Sequence, residues 1–148
     1  MKIRKAVIPA AGFGTRMLPI TSIVAKELLP VCGRPVIEHV VKEAVSAGIK
    51  EIILVLSHGK EAVADYFKPN KALVDQLLKT GKHKELEELE RIWDMAKITV
   101  VYQNEQLGLG DAVLCAKDAV GNEPFAVLLG DSIIQTDECN SFTYQLVN

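Results

Sequence analysis

The chain has 148 residues, of which 49% are hydrophobic, and this length suits one ordinary domain with a buried core. Its formal net charge is only −2, with acidic and basic residues interspersed, so neither nucleic acid nor an anionic membrane is expected as a partner. No apolar run is long enough to cross a bilayer, and Pro9 and Gly12 interrupt the first one, which argues against a signal peptide. We therefore expect a soluble, globular, cytoplasmic protein.

Four short apolar runs predict buried strands at residues 3–9, 52–57, 98–102 and 125–130. Residues 35–47 and 110–120 lie between them, have helical spacing of apolar side chains, and are each followed by a glycine. Strands that alternate with helices predict a Rossmann-like, three-layer α/β/α fold with a mainly parallel sheet. The first strand should be central, because ligands bind where the strand order reverses.

Residues 68–96 have a different composition, rich in lysine and glutamate with leucines at helical separations. This pattern predicts one or two exposed amphipathic helices, broken near Gly81. They form a solvated excursion between two strands. Because the sequence contains no internal repeat or linker, we expect residues 1–148 to belong to a single domain.

The three cysteines, Cys32, Cys115 and Cys139, are odd in number and widely spaced, without a CxxC or Cys/His pattern. This arrangement favours neither a disulfide framework nor a zinc site. We expect buried thiols in a reducing cytosol.

The turn after the first strand has the composition of a phosphate-binding loop, reading PAAGFGTR from Pro9 to Arg16. Small residues let backbone amides approach phosphate oxygens, and the guanidinium of Arg16 is a planar donor that suits phosphate. The turn lacks the third glycine of the dinucleotide fingerprint, and no GKS or GKT follows to make a P-loop. Taken alone, it also fits an ordinary strand-to-helix connection.

Two longer tracts resemble the sugar nucleotidyltransferases and, among them, the bacterial UTP–glucose-1-phosphate uridylyltransferases. Residues 10–49 contain GTRMLPITSIVAKELLPV, which is similar to that family's GTRFLP followed by PKEMLP at the same spacing. Residues 103–134, QNEQLGLGDAVLCAKDAVGNEPFAVLLGDSII, resemble a second diagnostic stretch. The charged excursion and its DYF lead-in at residues 65–67 are also similar, so the resemblance covers nearly the whole chain.

The resemblance implies a role for each matching residue. It assigns nucleotide binding to Ala10, Ala11, Gly12, Gly14, Thr15, Gln103 and Gly108. Arg16 and Lys26 would reach the phosphates as the catalytic groups, and Asp131 would hold the cofactor Mg²⁺. A phosphate nucleophile is already anionic, so charge repulsion is the obstacle and no general base is needed.

Gln103 and Gly108 match the family's uracil-recognising positions. An amide side chain can donate to one group of a pyrimidine edge and accept from another, while glycine leaves room for the ring. Three of the candidate site residues also have an ordinary structural alternative. Lys26 could be a surface lysine, Gln103 a strand cap, and Asp131 a turn residue or helix cap.

Three residues depart from the family pattern. Ala25 stands where proline is usual, Asp111 where histidine is common, and Ser132 where a second acidic residue is common. The loss of the fixed φ of proline loosens the loop that presents Lys26.

The resemblance makes residues 1–148 the nucleotide-binding part of a domain whose sugar-binding half is absent. No sugar-binding strand, second lysine or second Mg²⁺-binding aspartate can be assigned, because Asp137 and Glu138 follow the last motif too closely. We therefore expect the sheet to be incomplete on its C-terminal side. Exposed apolar surface there could support association, which leaves a homo-oligomer open.

Several functions remain open at this point. The chain could supply the UTP- and Mg²⁺-binding half of an enzyme that forms UDP-glucose and pyrophosphate from UTP and glucose 1-phosphate. It could instead be a catalytically inactive UTP-binding or regulatory module, or a truncated remnant. The residues that would specify the sugar cannot be identified, so another sugar 1-phosphate is a further alternative.

Overall fold

The computed structural model describes residues 2–136 and 141–148, so Asp137, Glu138 and Cys139 lie outside the described residues. Strands and helices alternate along the chain. The first half contains β1 (Lys5–Pro9), β2 (Pro30–Val31), β3 (Arg34–Pro35), α1 (Val36–Ser46), β4 (Glu51–Leu56) and α2 (Ala62–Asp65). The second half contains α3 (Lys71–Lys79), α4 (His83–Trp93), β5 (Lys97–Tyr102), α5 (Leu109–Cys115), α6 (Lys117–Val120), β6 (Phe125–Val127) and α7 (Phe142–Val147).

Strands β1, β4, β5 and β6 form one parallel sheet in the order β5-β4-β1-β6. Val7 on β1 is in register with Ile53 on one side and with Val127 on the other. The prediction that the first strand is central is confirmed. Strands β4 and β5 lie on one side of β1 and β6 lies on the other, so the strand order reverses at β1. Strand β6 is shorter than the predicted 125–130, because the chain turns after it, with Ser132 N donating to Leu129 O at 3.2 Å.

Alternate side chains of the sheet face two separate helical layers. Ala6, Ile8 and Leu54 are fully buried in a core that includes α1 and α2, while Val7 and Ile53 belong to a second core with α5 and α6. This alternation follows from the two-residue period of a strand. It confirms the three-layer α/β/α prediction.

The charged excursion forms two helices, α3 and α4, with the break at residues 80–82, as the sequence predicts. Asn70 caps α3, its side chain accepting a hydrogen bond from Leu73 N at 3.1 Å. Most of both helices is exposed, but Ile92 near the end of α4 reaches the core beside α1. The excursion is therefore anchored to the domain at its C-terminal end.

Cys32 is exposed, so the expectation of a buried thiol is wrong at this position. It lies with Gly33 in the two-residue turn between β2 and β3, where the φ angles are 51° and 77°. Two positive φ angles are typical of a tight hairpin turn, and such turns lie on the surface. Cys115 is half-buried, and both of these cysteines are free.

A buried ion pair joins the loop after β1 to the loop after β4. Glu27 is 0% exposed, and the Lys60 side chain is 11% exposed. Lys60 Nζ lies 2.8 Å from Glu27 Oε2 and donates to the carbonyl oxygen of Gly12 at 2.9 Å. Neither Glu27 oxygen accepts a hydrogen bond from the described residues, so Lys60 compensates this carboxylate by charge.

Replacement Lys60→Met should destabilise the protein strongly. Methionine keeps an apolar stem but removes the ammonium group, which leaves the Glu27 carboxylate buried without compensation. Loss of one partner of a buried pair costs about 3–5 kcal/mol in the free energy of unfolding, which urea denaturation would measure.

Two comparisons test the cause of this loss. The double variant Lys60→Met/Glu27→Gln should recover much of it, because no uncompensated charge is then buried. The matched control Lys68→Met breaks an exposed ion pair with Asp65, 3.2 Å long, and should cost less than about 1 kcal/mol. An equal loss in Lys60→Met and Lys68→Met would contradict the assignment.

Candidate functional site

Most of the predicted site residues lie at the carboxyl ends of the four parallel strands. A cavity of about 240 Å³ lies between the loop after β1 and the loop after β5. Its lining includes Ala10, Ala11, Gly12, Lys26, Gln103 and Gly108. Three larger cavities, of about 420, 490 and 390 Å³, contain none of the predicted site residues, and the first two lie against α4. We place the candidate site in the smaller cavity, because it lies beyond the carboxyl ends of β1 and β5 and its lining contains these six predicted residues.

The loop after β1 is held close to the sheet. Ala10 and Ala11 are buried, and Ala10 N donates to Val55 O on β4 at 2.8 Å. Gly14 has a φ of 66°, and a Cβ added there would lie 3.1 Å from Thr21 Cγ2. A side chain at Gly14 would therefore be both strained and crowded, which explains the requirement for glycine.

Thr15 and Arg16 lie in a 3₁₀ turn and are exposed. Arg16 takes part in none of the hydrogen bonds or ion pairs found among the described residues, so its guanidinium remains available to a ligand. The structure does not join it to Lys26 or Asp131 by such a contact.

Lys26 and Asp131 form an ion pair, although they are 105 residues apart in the sequence. Lys26 Nζ donates to Asp131 Oδ2 at 2.6 Å, and the side chains are 24% and 43% exposed. This hydrogen bond lowers the pKa of Asp131 below its ordinary value, which outweighs the opposing effect of partial burial. The predicted phosphate-binding cation and the predicted metal-binding carboxylate therefore neutralise each other in this structure.

Gln103 is 4% exposed, and its backbone N–H donates to Leu56 O at 2.8 Å, beyond the end of β5. Its Nε2 donates to Gly108 O at 3.1 Å and to Asp111 Oδ2 at 2.8 Å. The structure therefore brings Gln103 and Gly108 together, as the resemblance implies. In the sequence, Asp111 is recognisable only as a departure from the family pattern, and its contact with Gln103 is not predicted.

Two further residues that the sequence does not single out contact the loop after β1. Gln106 Nε2 donates to Ala11 O at 3.2 Å, and Lys60 donates to the next carbonyl, that of Gly12. Both contacts join segments distant in sequence, and nothing in the local sequence pattern indicates them. They fix the backbone beside the cavity from two directions.

The donor set at Asp131 fits a hard cation only when other ligands complete its shell. No group of three or more histidine, cysteine, aspartate or glutamate side chains that could hold a metal occurs in residues 2–136 and 141–148. A single ionised carboxylate suits Mg²⁺, which commonly takes most of its ligands from substrate phosphates and water.

In the same part of the chain, residues 2–136 and 141–148, no helix is both long and apolar enough to cross a membrane.

Comparison with known proteins agrees with this geometry. The Nucleotidyl transferase family model matches residues 5–145. A UTP–glucose-1-phosphate uridylyltransferase of Mycoplasma pneumoniae is 52% identical over 133 residues, which cover 90% of this chain and 46% of that protein. A UTP-bound UGPase from Acinetobacter baumannii has a TM-score of 0.94 at 42% identity, covering 98% of this chain and 51% of that one.

A UDP-glucose pyrophosphorylase complexed with UDP-glucose is also similar, with a TM-score of 0.82 at 35% identity, covering 98% of this chain and 52% of that one. The chain thus spans about half the length of the relatives it matches. The family match nevertheless extends over nearly all of this chain, and the fold agrees with it. The chain therefore belongs to the nucleotidyl transferase family.

Proposed function

We propose that this chain is the UTP- and Mg²⁺-binding part of a UTP–glucose-1-phosphate uridylyltransferase, which forms UDP-glucose and pyrophosphate from UTP and glucose 1-phosphate. The observation that carries the proposal is the cavity that unites the loop after β1, Lys26 and Gln103. The similarity to UTP–glucose-1-phosphate uridylyltransferases supports the choice of substrates. In this proposal residues 1–148 form the nucleotide-binding part, and the sugar-binding half lies outside them.

In the proposed mechanism the protein mainly positions two anions and neutralises their charge. Gln103 and Gly108 hold the uracil, while the backbone of residues 10–15 holds the phosphates. The sugar phosphate is an anionic nucleophile that attacks the α-phosphorus and displaces pyrophosphate. Arg16 and Lys26 lower the repulsion between the two anions, so the reaction needs no general base.

The Lys26–Asp131 pair gives the proposed site two charge arrangements. In the first arrangement, which the structure contains, Lys26 Nζ neutralises Asp131 at 2.6 Å. When a triphosphate binds, Lys26 moves to its oxygens and frees the Asp131 carboxylate. That carboxylate would hold Mg²⁺, which supplies further neutralisation of the phosphate oxygens when bound. The nucleotide and the metal should therefore bind together.

A cytoplasmic location and self-association belong to the same proposal. The free thiols Cys32 and Cys115 suit a reducing compartment. Val127 and Leu129, on and beside the edge strand β6, are exposed apolar side chains that a second copy could cover. A catalytically inactive UTP-binding module, a truncated remnant, and an enzyme for another sugar 1-phosphate remain alternatives. The first of the following two experiments separates the remnant, which would not bind UTP, from the others.

We expect Mg²⁺–UTP to bind more tightly than Mg²⁺–CTP or Mg²⁺–ATP, as measured by titration calorimetry. Gln103→Ala should reduce the preference for UTP by roughly tenfold, because the base loses its polar partner. Lys26→Ala should weaken all three triphosphates alike, because it contacts only phosphates. The exposed Lys68 provides a control, and Lys68→Ala should change neither quantity. If Lys26→Ala altered the base preference while Gln103→Ala did not, the assigned roles would be reversed.

The 148 residues alone should make no appreciable UDP-glucose, even where they bind UTP. Holding both reactants in line can contribute about 7–11 kcal/mol, and a site that holds one reactant loses much of it. Pyrophosphate release from UTP, Mg²⁺ and glucose 1-phosphate would be measured, with the Mycoplasma pneumoniae relative as positive control. Turnover at about 1–10³ per second would show that the sugar site is formed by these residues or by a second copy.

A further inference from the structure

We propose that Asp111 is a positioning residue that determines base specificity. It fixes the side-chain amide of Gln103 so that only the carbonyl oxygen of this amide is presented to the base, and this arrangement selects uracil over cytosine. The inference rests on the proposed UTP site. It also changes the expectation that Gln103 both donates to the base and accepts from it.

The first step is that both hydrogens of the Gln103 amide already have partners. Nε2 donates to Gly108 O at 3.1 Å and to Asp111 Oδ2 at 2.8 Å. A carbonyl and an ionised carboxylate can only accept. Rotation of the amide by 180° would place Oε1 against these two acceptors, so the neighbours themselves decide the orientation.

The second step is that Gln103 has little freedom to move. Its side chain is buried, and its backbone is tied to Leu56 O at 2.8 Å. Helix α5 begins directly after Gly108, and Asp111 lies in its first turn. The two acceptors are therefore held on one short segment and oppose rotation of the amide together.

The third step is that Oε1 is the polar atom that Gln103 has left for a ligand. Gln103 lines the cavity, and no described residue donates to Oε1. Uracil carries an N–H donor at N3, whereas N3 of cytosine is an acceptor. A fixed acceptor pairs with uracil and repels cytosine at this atom, while a rotated amide could donate to cytosine.

The test uses residues 1–148 and titrates Mg²⁺–UTP, Mg²⁺–CTP and Mg²⁺–N3-methyl-UTP by calorimetry. Asp111→Ala should lower the ratio of UTP to CTP affinity by about tenfold, since the amide can then rotate. Asp111→Asn keeps an acceptor in the same place and should retain most of the preference. The exposed acidic residue Asp118 on α6 gives a matched control, and Asp118→Ala should leave the ratio unchanged.

The outcomes distinguish this inference from the proposed function. If the unmodified chain bound UTP weakly or without preference over CTP, the proposed function itself would fail. If the chain preferred UTP but Asp111→Ala retained that preference, or Asp111→Asn lost it as fully as Asp111→Ala, the role of Asp111 would be refuted. Should Asp111→Ala fold poorly, N3-methyl-UTP decides on the unmodified chain: binding as tight as that of UTP would also overturn the inference.

Discussion

The contact of Lys60 with Glu27 and Gly12 is the interaction on which the site depends most. A carboxylate buried to this extent is stable only beside a compensating charge, and Lys60 supplies it at 2.8 Å. The same ammonium group holds the carbonyl of Gly12, so one buried side chain ties the loop after β1 to the turn that carries Lys26 and Glu27. The backbone beside the cavity is thus fixed by contacts within the protein itself.

Two acidic residues near the cavity differ in what the proposed ligand does to their contacts: one contact is broken on binding and the other is kept. Asp131 is half-exposed and paired with Lys26, and in the proposed function this pair separates when Asp131 holds a cation. Asp111 accepts a hydrogen bond from the buried Gln103, and in our inference this contact persists when the base binds. In this proposal the phosphate end of the site rearranges when the nucleotide binds, while the base end keeps its arrangement. Preorganisation at the base end favours specificity, because the wrong base cannot induce a better fit.

The sequence predicts the layers, the central first strand and the position of Gln103, because apolar periodicity and a polar residue after a strand are local patterns. It does not predict the partners of buried polar groups. Strands β2 and β3, helix α1 and strand β4 separate Glu27 from Lys60 in the sequence, and only the packed structure brings the two residues together. The direction of the Gln103 amide likewise depends on two acceptors that only the start of α5 positions. The assigned roles of Arg16 and Asp131 stay predictions until ligand binding is measured.

The strand order also has a kinetic consequence. Strand β1 can pair with β4 as soon as about the first third of the chain is present, but its other neighbour, β6, begins at Phe125. Pairing between strands so distant in sequence requires closure of a long loop and is intrinsically slow. During folding, the side of the crevice built on β4 and β5 should form first, and Asp131 should join it last. A chain that stopped folding at that stage would already contain the pocket around Gln103, but the Asp131 carboxylate would not yet be in place beside it.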